Sequence, residues 1–319
     1  MKTIGIYHTK GGVGKSAAVV FLADFLSSLY AKRVLVVDLD PQGSAAGAIL
    51  GGEALREGFA AGKSLPALMA AALDGMLPVE VVRRHIMERP AQVGRKGVKY
   101  IGAASVLASP RAQWTALNDR LHREPAETQR NFYDLLADVL RPLDGEFDIC
   151  LIDFPGSESG IMAHIGMRAA GWWLLPVKPD WFSVEDLDVP LGAVREAQKH
   201  HRHRVRFLGT LLNICPKANS KVYHKAKHSL QRFAEEGGIP PLFAKKSEIL
   251  HHAAALKALD RDAAQSRTMR ERYDSASSPF YTGLRNLAGE VLKRLDEDFK
   301  APNPRLLDDF RRKLADYWR

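Results

Sequence analysis

The sequence predicts a doubly wound α/β fold, in which helices cover both faces of a single, mostly parallel β-sheet. Three observations carry this prediction. Short apolar runs alternate with helical patterns along the chain. The runs are too continuously apolar for half-exposed strands, which points to strands covered on both sides. The segment Lys10-Gly11-Gly12-Val13-Gly14-Lys15-Ser16 joins the first such run to the first helical pattern, which is the setting a phosphate-binding loop needs.

With 319 residues, 46% of them hydrophobic and 26% charged, the chain is long enough to bury the core of one large α/β domain. That domain is expected over 1–300, with a short C-terminal helix over 301–319. No apolar stretch approaches the roughly 18 residues of a membrane span. The run Lys2 to Tyr7 gives way at once to polar residues and glycines, unlike a secretory leader. A cytoplasmic location is therefore expected. The two cysteines, Cys150 and Cys215, lie in apolar runs and read as reduced packing residues rather than redox or metal groups. A net charge of +9 points to a polyanionic partner.

Taken in order, strands are expected over 3–8, 33–38, 98–101, 148–153, 172–177 and 206–213. The glycine-containing stretches 51–64 and 89–97 read as loops. A helix is expected over 280–299, where Phe280, Leu284, Leu287, Val291, Leu295 and Phe299 recur at helical spacing. Ala301-Pro302-Asn303-Pro304 then breaks the chain.

The chemistry concentrates in the loop of residues 10–16. Glycines let the backbone curl so that successive N–H groups face a phosphate, and the helix that follows adds positive potential at its N-terminus. Lys15 is positioned to bridge the β and γ phosphates, and the Ser16 hydroxyl to coordinate Mg²⁺. Two further segments end apolar runs in carboxylates: Val34 to Asp38, continuing Leu39-Asp40-Pro41-Gln42-Gly43, and Ile149 to Asp153, continuing Phe154-Pro155-Gly156.

Taken together, these residues resemble the ParA/MinD family of deviant Walker A P-loop ATPases, and more specifically its ParA-type partition ATPases. The second lysine of the loop, Lys10, is that family's signature. The resemblance implies that Lys10 reaches across a homodimer to the partner's ATP, so that ATP binding drives dimerisation. It implies ATP and Mg²⁺ as ligands, with Gly11, Gly12, Val13, Gly14, Lys15, Ser16 and Ala17 around the phosphates. Ser16 and Asp153 fall at the metal, Asp40 near the attacking water, and Asp38 in support. Lys10, Lys15 and Asp40 are thus the catalytic candidates. Adenine is expected as the base, because the run ending Leu211-Leu212-Asn213 lacks the Asp of a guanine site, and Asn213 matches the residue that pairs the adenine edge. Two positions depart from the family pattern. Ala17 stands where many relatives have Thr, and Gly156 to Gly160 replaces a Pro-containing switch.

Between Arg195 and Arg232 lie ten lysines and arginines against one acid, Glu196. This stretch suits salt-sensitive, sequence-independent phosphate contacts. The DNA-binding candidates within it are Arg195, Lys199, Arg202, Arg204, Lys221, Lys225 and Lys227. The first strand begins almost at Met1, so sequence-specific operator binding through an N-terminal helix-turn-helix is not expected. In the tail, Leu306, Leu307, Phe310, Leu314, Tyr317 and Trp318 fall within about a 120° arc, a basic amphipathic helix that resembles the membrane-targeting helix of MinD-like relatives and is expected to dock on the core or a partner in preference to a membrane.

The expectation is therefore a nucleoid-associated positioning ATPase. It would bind DNA non-specifically as an ATP dimer, hydrolyse ATP slowly, and be stimulated by a ParB-like or cargo-adaptor protein to segregate a plasmid, a chromosome or another cargo. The alternatives are a MinD-like ATPase acting on a membrane surface and a ligase of the dethiobiotin synthetase type. Lys10 and the basic stretch argue against the ligase.

Overall fold

Alternate residues of each central strand face opposite hydrophobic layers, and this sets the architecture. Val34 and Val36 enter one buried cluster with Ile4, Ile6 and Leu151, while Leu35 and Val37 enter the other with Cys150 and Ile152. A strand whose side chains are buried on both faces cannot alternate with polar residues, so these runs read as continuously apolar. The computed structural model describes residues 1–75, 77–92, 101–123, 132–156, 161–200, 206–216, 221–260, 266 and 268–297.

Among the described residues seven strands form one sheet: β1 (Lys2–Ile6), β2 (Val34–Asp38), β3 (Met87–Arg89), β4 (Ala104–Leu107), β5 (Ile149–Asp153), β6 (Trp172–Val177) and β7 (Arg206–Leu212). Their order is β3-β4-β2-β5-β1-β6-β7. All neighbours are parallel except β3, which pairs antiparallel with β4 at the edge.

One layer of helices holds α1 (Lys15–Tyr30), α2 (Ser44–Leu50) and α3 (Gly52–Ala60). The opposite layer holds α4 (Leu65–Leu73), α5 (Val79–His85), α6 (Arg111–Arg123), α7 (Leu135–Leu140), α8 (Ile161–Ala169), α9 (Trp181–Glu185), α10 (Asp188–His200) and α11 (Lys221–Glu235). The chain then returns to the first layer with α12 (Ala253–Leu259), α13 (Met269–Tyr273) and α14 (Pro279–Arg294). The predicted doubly wound class is the observed one.

The edge of the sheet departs from expectation. Ile101 lies outside any strand, 98–100 fall outside the described residues, and the strand comes later, at Ala104–Leu107. Residues 52–60, expected in a loop, form α3. Its internal Gly58 is there for close packing, since a Cβ on it would meet the Met87 sulfur of β3 at 2.2 Å. The last helix ends at Arg294, and Phe299 lies outside the described residues.

Candidate active site

Strand order brings the functional residues together. β2, β5 and β1 are neighbours, and the register sets Asp38 beside Asp153 and Asp153 beside Ile6. The two carboxylates and the loop leaving β1 therefore meet at the carboxyl edge of the sheet, where open α/β sheets bind ligands.

The loop is held at both ends. At its entry the Lys10 N–H donates to His8 Nδ1 at 3.0 Å. At its exit Gly14 takes φ +84° as the N-cap of α1. A side chain there would be strained in that backbone conformation. It would also collide with Asn213, whose Nδ2 stands 2.2 Å from the position of a Cβ. That Nδ2 donates to the carbonyls of Val13 and Gly14 at 2.9 and 3.0 Å, and Asn213 Oδ1 accepts from the Ile214 N–H. Both protons of the amide are thus engaged by the loop. Just beyond the end of β7, this amide clasps the loop, and its pairing with an adenine edge stays an expectation.

The rest of the loop fits a phosphate chain. Gly11 and Gly12 are exposed, and a Cβ on either would meet nothing within 4 Å, so the backbone is bare on that side. The N-terminus of α1 has no side-chain cap, which leaves its first N–H groups for a ligand. Lys15 is buried and folds back, its Nζ donating to the Lys10 carbonyl at 2.9 Å. Burial lowers its pKa, against the opposing pull of Asp153 and Asp40. Ser16 and Ala17 follow on the first turn of α1, half-buried.

The Lys10 ammonium goes elsewhere. It stands 3.8 Å from Asp186, just after α9, and 5.3 Å from the centre of the Phe182 ring. Phe182 is 68% exposed.

The carboxylates differ in their surroundings. Asp38 accepts from the N–H groups of Asp40 and Ala46, which ties β2 to α2. Burial pushes its pKa up to about 7, the Ala46 N–H opposes this, and the Asp40 charge adds to it. Asp153 is fully buried, and the groups that favour its charge are the Ser16 hydroxyl and the Lys15 ammonium. Burial and then the adjacent Asp38 hold it well above the usual carboxylate range, with Ser16 acting in the opposite direction. Asp40 is half-buried, its Oδ1 accepting from the Gln42 N–H at 2.9 Å. A carboxylate this deeply buried, facing a second carboxylate, is a site that a divalent cation would neutralise. The residues present therefore fit both Mg²⁺ and a nucleotide phosphate chain.

The basic stretch divides. On α11, Tyr223, Ala226, Leu230 and Phe233 face the core, while Lys221, His224, Lys225 and His228 are exposed. Arg195 is half-buried on α10. Nothing is described of the Lys199 side chain, and Arg202 and Arg204 lie outside the described residues, as does the whole 301–319 tail. Lys227 differs from its neighbours on this helix. Its Nζ donates to Glu248 Oε1 at 2.5 Å, and the Tyr223 hydroxyl donates to the other Glu248 oxygen, so its charge is committed to an interior pair. Glu248 lies 21 residues further along, beyond the window in which the basic face was read. His8, Asp186 and Phe182 were not anticipated either; for His8 the available signal was a titratable side chain at the end of an apolar strand, two residues before Lys10.

An AAA domain family model matches residues 1–207, from β1 to the start of β7. The chromosome-partitioning ATPase Soj of Treponema pallidum is 25% identical over 271 residues, covering 84% of this chain and 93% of Soj. Among solved structures, pNOB8 ParA bound to nonspecific DNA superposes with a TM-score of 0.67 at 21% identity, covering 93% of this chain and 99% of that one. Cobyrinic acid a,c-diamide synthase of Mycobacterium smegmatis, solved with ADP and magnesium, gives a TM-score of 0.63 at 19% identity, covering 95% and 98%. The last two likenesses establish the fold alone, which a ParA and a diamide synthase share. The family match and the loop it contains go further: this chain belongs to the AAA domain family and, within it, to the ParA/MinD group of P-loop ATPases.

Proposed function

We propose that the chain is a partition or positioning ATPase that switches between monomer and ATP-bound homodimer and grips DNA non-specifically as the dimer. The observation that carries this reading is the divergence of the two loop lysines. Lys15 folds onto its own loop, whereas the Lys10 ammonium leaves it for an exposed contact with Asp186 and Phe182. A cation beside the loop rather than in it suits a role on a second subunit's nucleotide. It has no evident use in a ligase acting as a monomer.

In this reading the backbone of Gly11 to Ala17 and the Lys15 ammonium hold the phosphates. Ser16 and Asp153 hold Mg²⁺, which when bound supplies neutralisation of phosphate charge. Asp40 orients the attacking water, and Asp38, by accepting from the Asp40 N–H, fixes where Asp40 stands. Residues 1–300 form the ATPase domain, and the amphipathic 301–319 segment packs on it or on a partner. Lys221 and Lys225, with Arg195, Lys199, Arg202 and Arg204, supply the DNA surface. Two such faces in a dimer multiply individually weak contacts. A partner protein bound to the cargo accelerates hydrolysis and releases the dimer. No helix among the described residues is long and apolar enough to cross a membrane.

The test is DNA binding with ATP, with ADP and without nucleotide over a salt series, alongside sedimentation with anionic liposomes. Binding to DNA only with ATP, weakening steeply with salt, is expected. ATP-dependent liposome binding without DNA binding would replace this reading with a membrane-positioning one. Lys10→Ala should keep ATP binding and lose ATP-dependent dimers in light scattering.

A further inference from the structure

We infer that His8 is a positioning residue of the phosphate loop, its Nδ1 holding the Lys10 peptide so that the loop is presented ready-formed to phosphate. The inference rests on the ATPase reading above and concerns a residue to which that reading gives no part.

Lys10 is gripped on both sides of its backbone. Its N–H donates to His8 Nδ1 at 3.0 Å, and its carbonyl accepts from Lys15 Nζ at 2.9 Å. Because Nδ1 accepts, the imidazole proton sits on Nε2, and the ring is the neutral tautomer. Burial first, then the charges of Lys15 and Lys10, lower the His8 pKa to about 3, so the acceptor persists through the physiological range. His8 is fully buried, and its Nε2 has no hydrogen-bond partner among the described residues. A buried donor left without a partner is unfavourable, and an apolar side chain would avoid that penalty. The bond from Nδ1 is what an apolar side chain could not supply.

The loop needs such a hold. Gly11 and Gly12 contribute no side chains, and their Cβ positions face open space, so the first half of the loop has no side chain of its own to anchor it. Asn213 secures the second half through the carbonyls of Val13 and Gly14. His8 is the counterpart at the entry. Between the two clasps the bare N–H groups hold one curvature before phosphate arrives, which lowers the ordering cost of binding.

Side-chain isosteres separate this role from simple packing. Asn places a polar atom where Nδ1 stands, while Gln is closer to histidine in size and places its polar atoms near Nε2. ATP affinity is to be measured by calorimetry on the full chain with Mg²⁺, together with melting temperature, for His8→Asn, His8→Gln and Lys15→Ala. His8→Asn should bind within about 3-fold of wild type and His8→Gln about 10-fold more weakly, the scale of one hydrogen bond. In wild type, ¹⁵N spectra of the imidazole should show His8 with an unprotonated, hydrogen-bonded Nδ1 at pH 7. Wild-type affinity in His8→Gln, an affinity order that follows melting temperature instead of the Nδ1 acceptor, or a protonated Nδ1 would each overturn the inference. Unaltered ATP binding in Lys15→Ala would instead remove the phosphate-loop reading on which the inference stands.

Discussion

A buried carboxylate within α1 and a buried pair at the carboxyl edge of the sheet are treated in opposite ways. Asp24, in the middle of α1, is wholly buried yet surrounded. Arg89 Nη2 lies 2.5 Å from one oxygen, and Arg272 Nε at 2.8 Å and the Tyr273 hydroxyl at 2.5 Å from the other. Burial alone would raise its pKa, but Arg89 and Arg272, with the Tyr273 hydroxyl, more than offset this and hold it below the ordinary value. Asp38 and Asp153, at the ends of β2 and β5, are equally buried, and among the described residues their electrostatics include no arginine, the Lys15 ammonium only partly offsetting the burial of Asp153. Their pKa values rise instead. The first cluster is a finished structural joint: Arg272 also donates to the Ala48 carbonyl near the end of α2, so α1, α2 and α13 are tied through one carboxylate. The second is unfinished until a cation joins it. The sequence supplies arginines where a carboxylate serves the fold and withholds them where it serves a ligand.

The largest effect should come from breaking the finished joint. Asp24→Asn leaves two guanidiniums buried without their counter-charge, and such losses run to about 3–5 kcal/mol. The denaturant midpoint should fall accordingly, while ATP affinity of the remaining folded protein stays near wild type. A midpoint within experimental error of wild type would mean that the cluster is not the staple its geometry suggests.

The same change at the unfinished site should act in the reverse sense. Asp153→Asn removes one of two facing carboxylates, so without Mg²⁺ or nucleotide the melting temperature should rise. Turnover with Mg²⁺ should fall by a factor on the order of 10². Stability and activity moving in opposite directions is the signature of a site kept strained for function.

Proton linkage gives a third and smaller contrast. The Asp38 pKa of about 7 in the fold exceeds its unfolded value near 4, so between these pH values the folded state binds the extra proton. Stability from this pair is therefore greatest at the acid end of that window and declines as pH rises through it. Asp24 behaves oppositely, losing its contribution only below its ordinary value. His8, with a folded pKa of about 3, makes stability rise with pH up to its unfolded value near 6.5 and overlaps the window. Subtracting the unfolding free energy of Asp153→Asn from that of wild type cancels the His8 part. With a chelator present, the difference should fall steadily from pH 4.5 to 7, and a flat difference would place the strain elsewhere.

What the sequence disclosed follows from how local each signal is. The loop, the carboxylates at the ends of β2 and β5, and the strands that deliver them each lie within about ten consecutive residues, and all are where they were expected. The Asp24 cluster joins residues 24, 89, 272 and 273, none of which stands in a telling local context. β3 and β4, three and four residues long, are too short for periodicity to register, and the expected strand was misplaced. The Asn213 clasp was missed for the same reason as the Lys227 pair: a side chain's partner, unlike its type, is decided by tertiary contact.

Among the basic residues of α11 the contrast between paired and outward-facing charge returns on its smallest scale. Lys227 is spent on Glu248, so Lys227→Ala should lower the melting temperature and leave the salt dependence of DNA binding unchanged. Lys221 is exposed at the start of the same helix. A phosphate contact from it would release about one counterion on binding, so Lys221→Ala should reduce the slope of log affinity against log salt by about 1. Affinity at fixed salt should drop only a few-fold, with the melting temperature unchanged. If instead Lys227→Ala lowers the slope and Lys221→Ala leaves it alone, the DNA surface lies on the other side of α11, and the Glu248 pair opens when DNA binds.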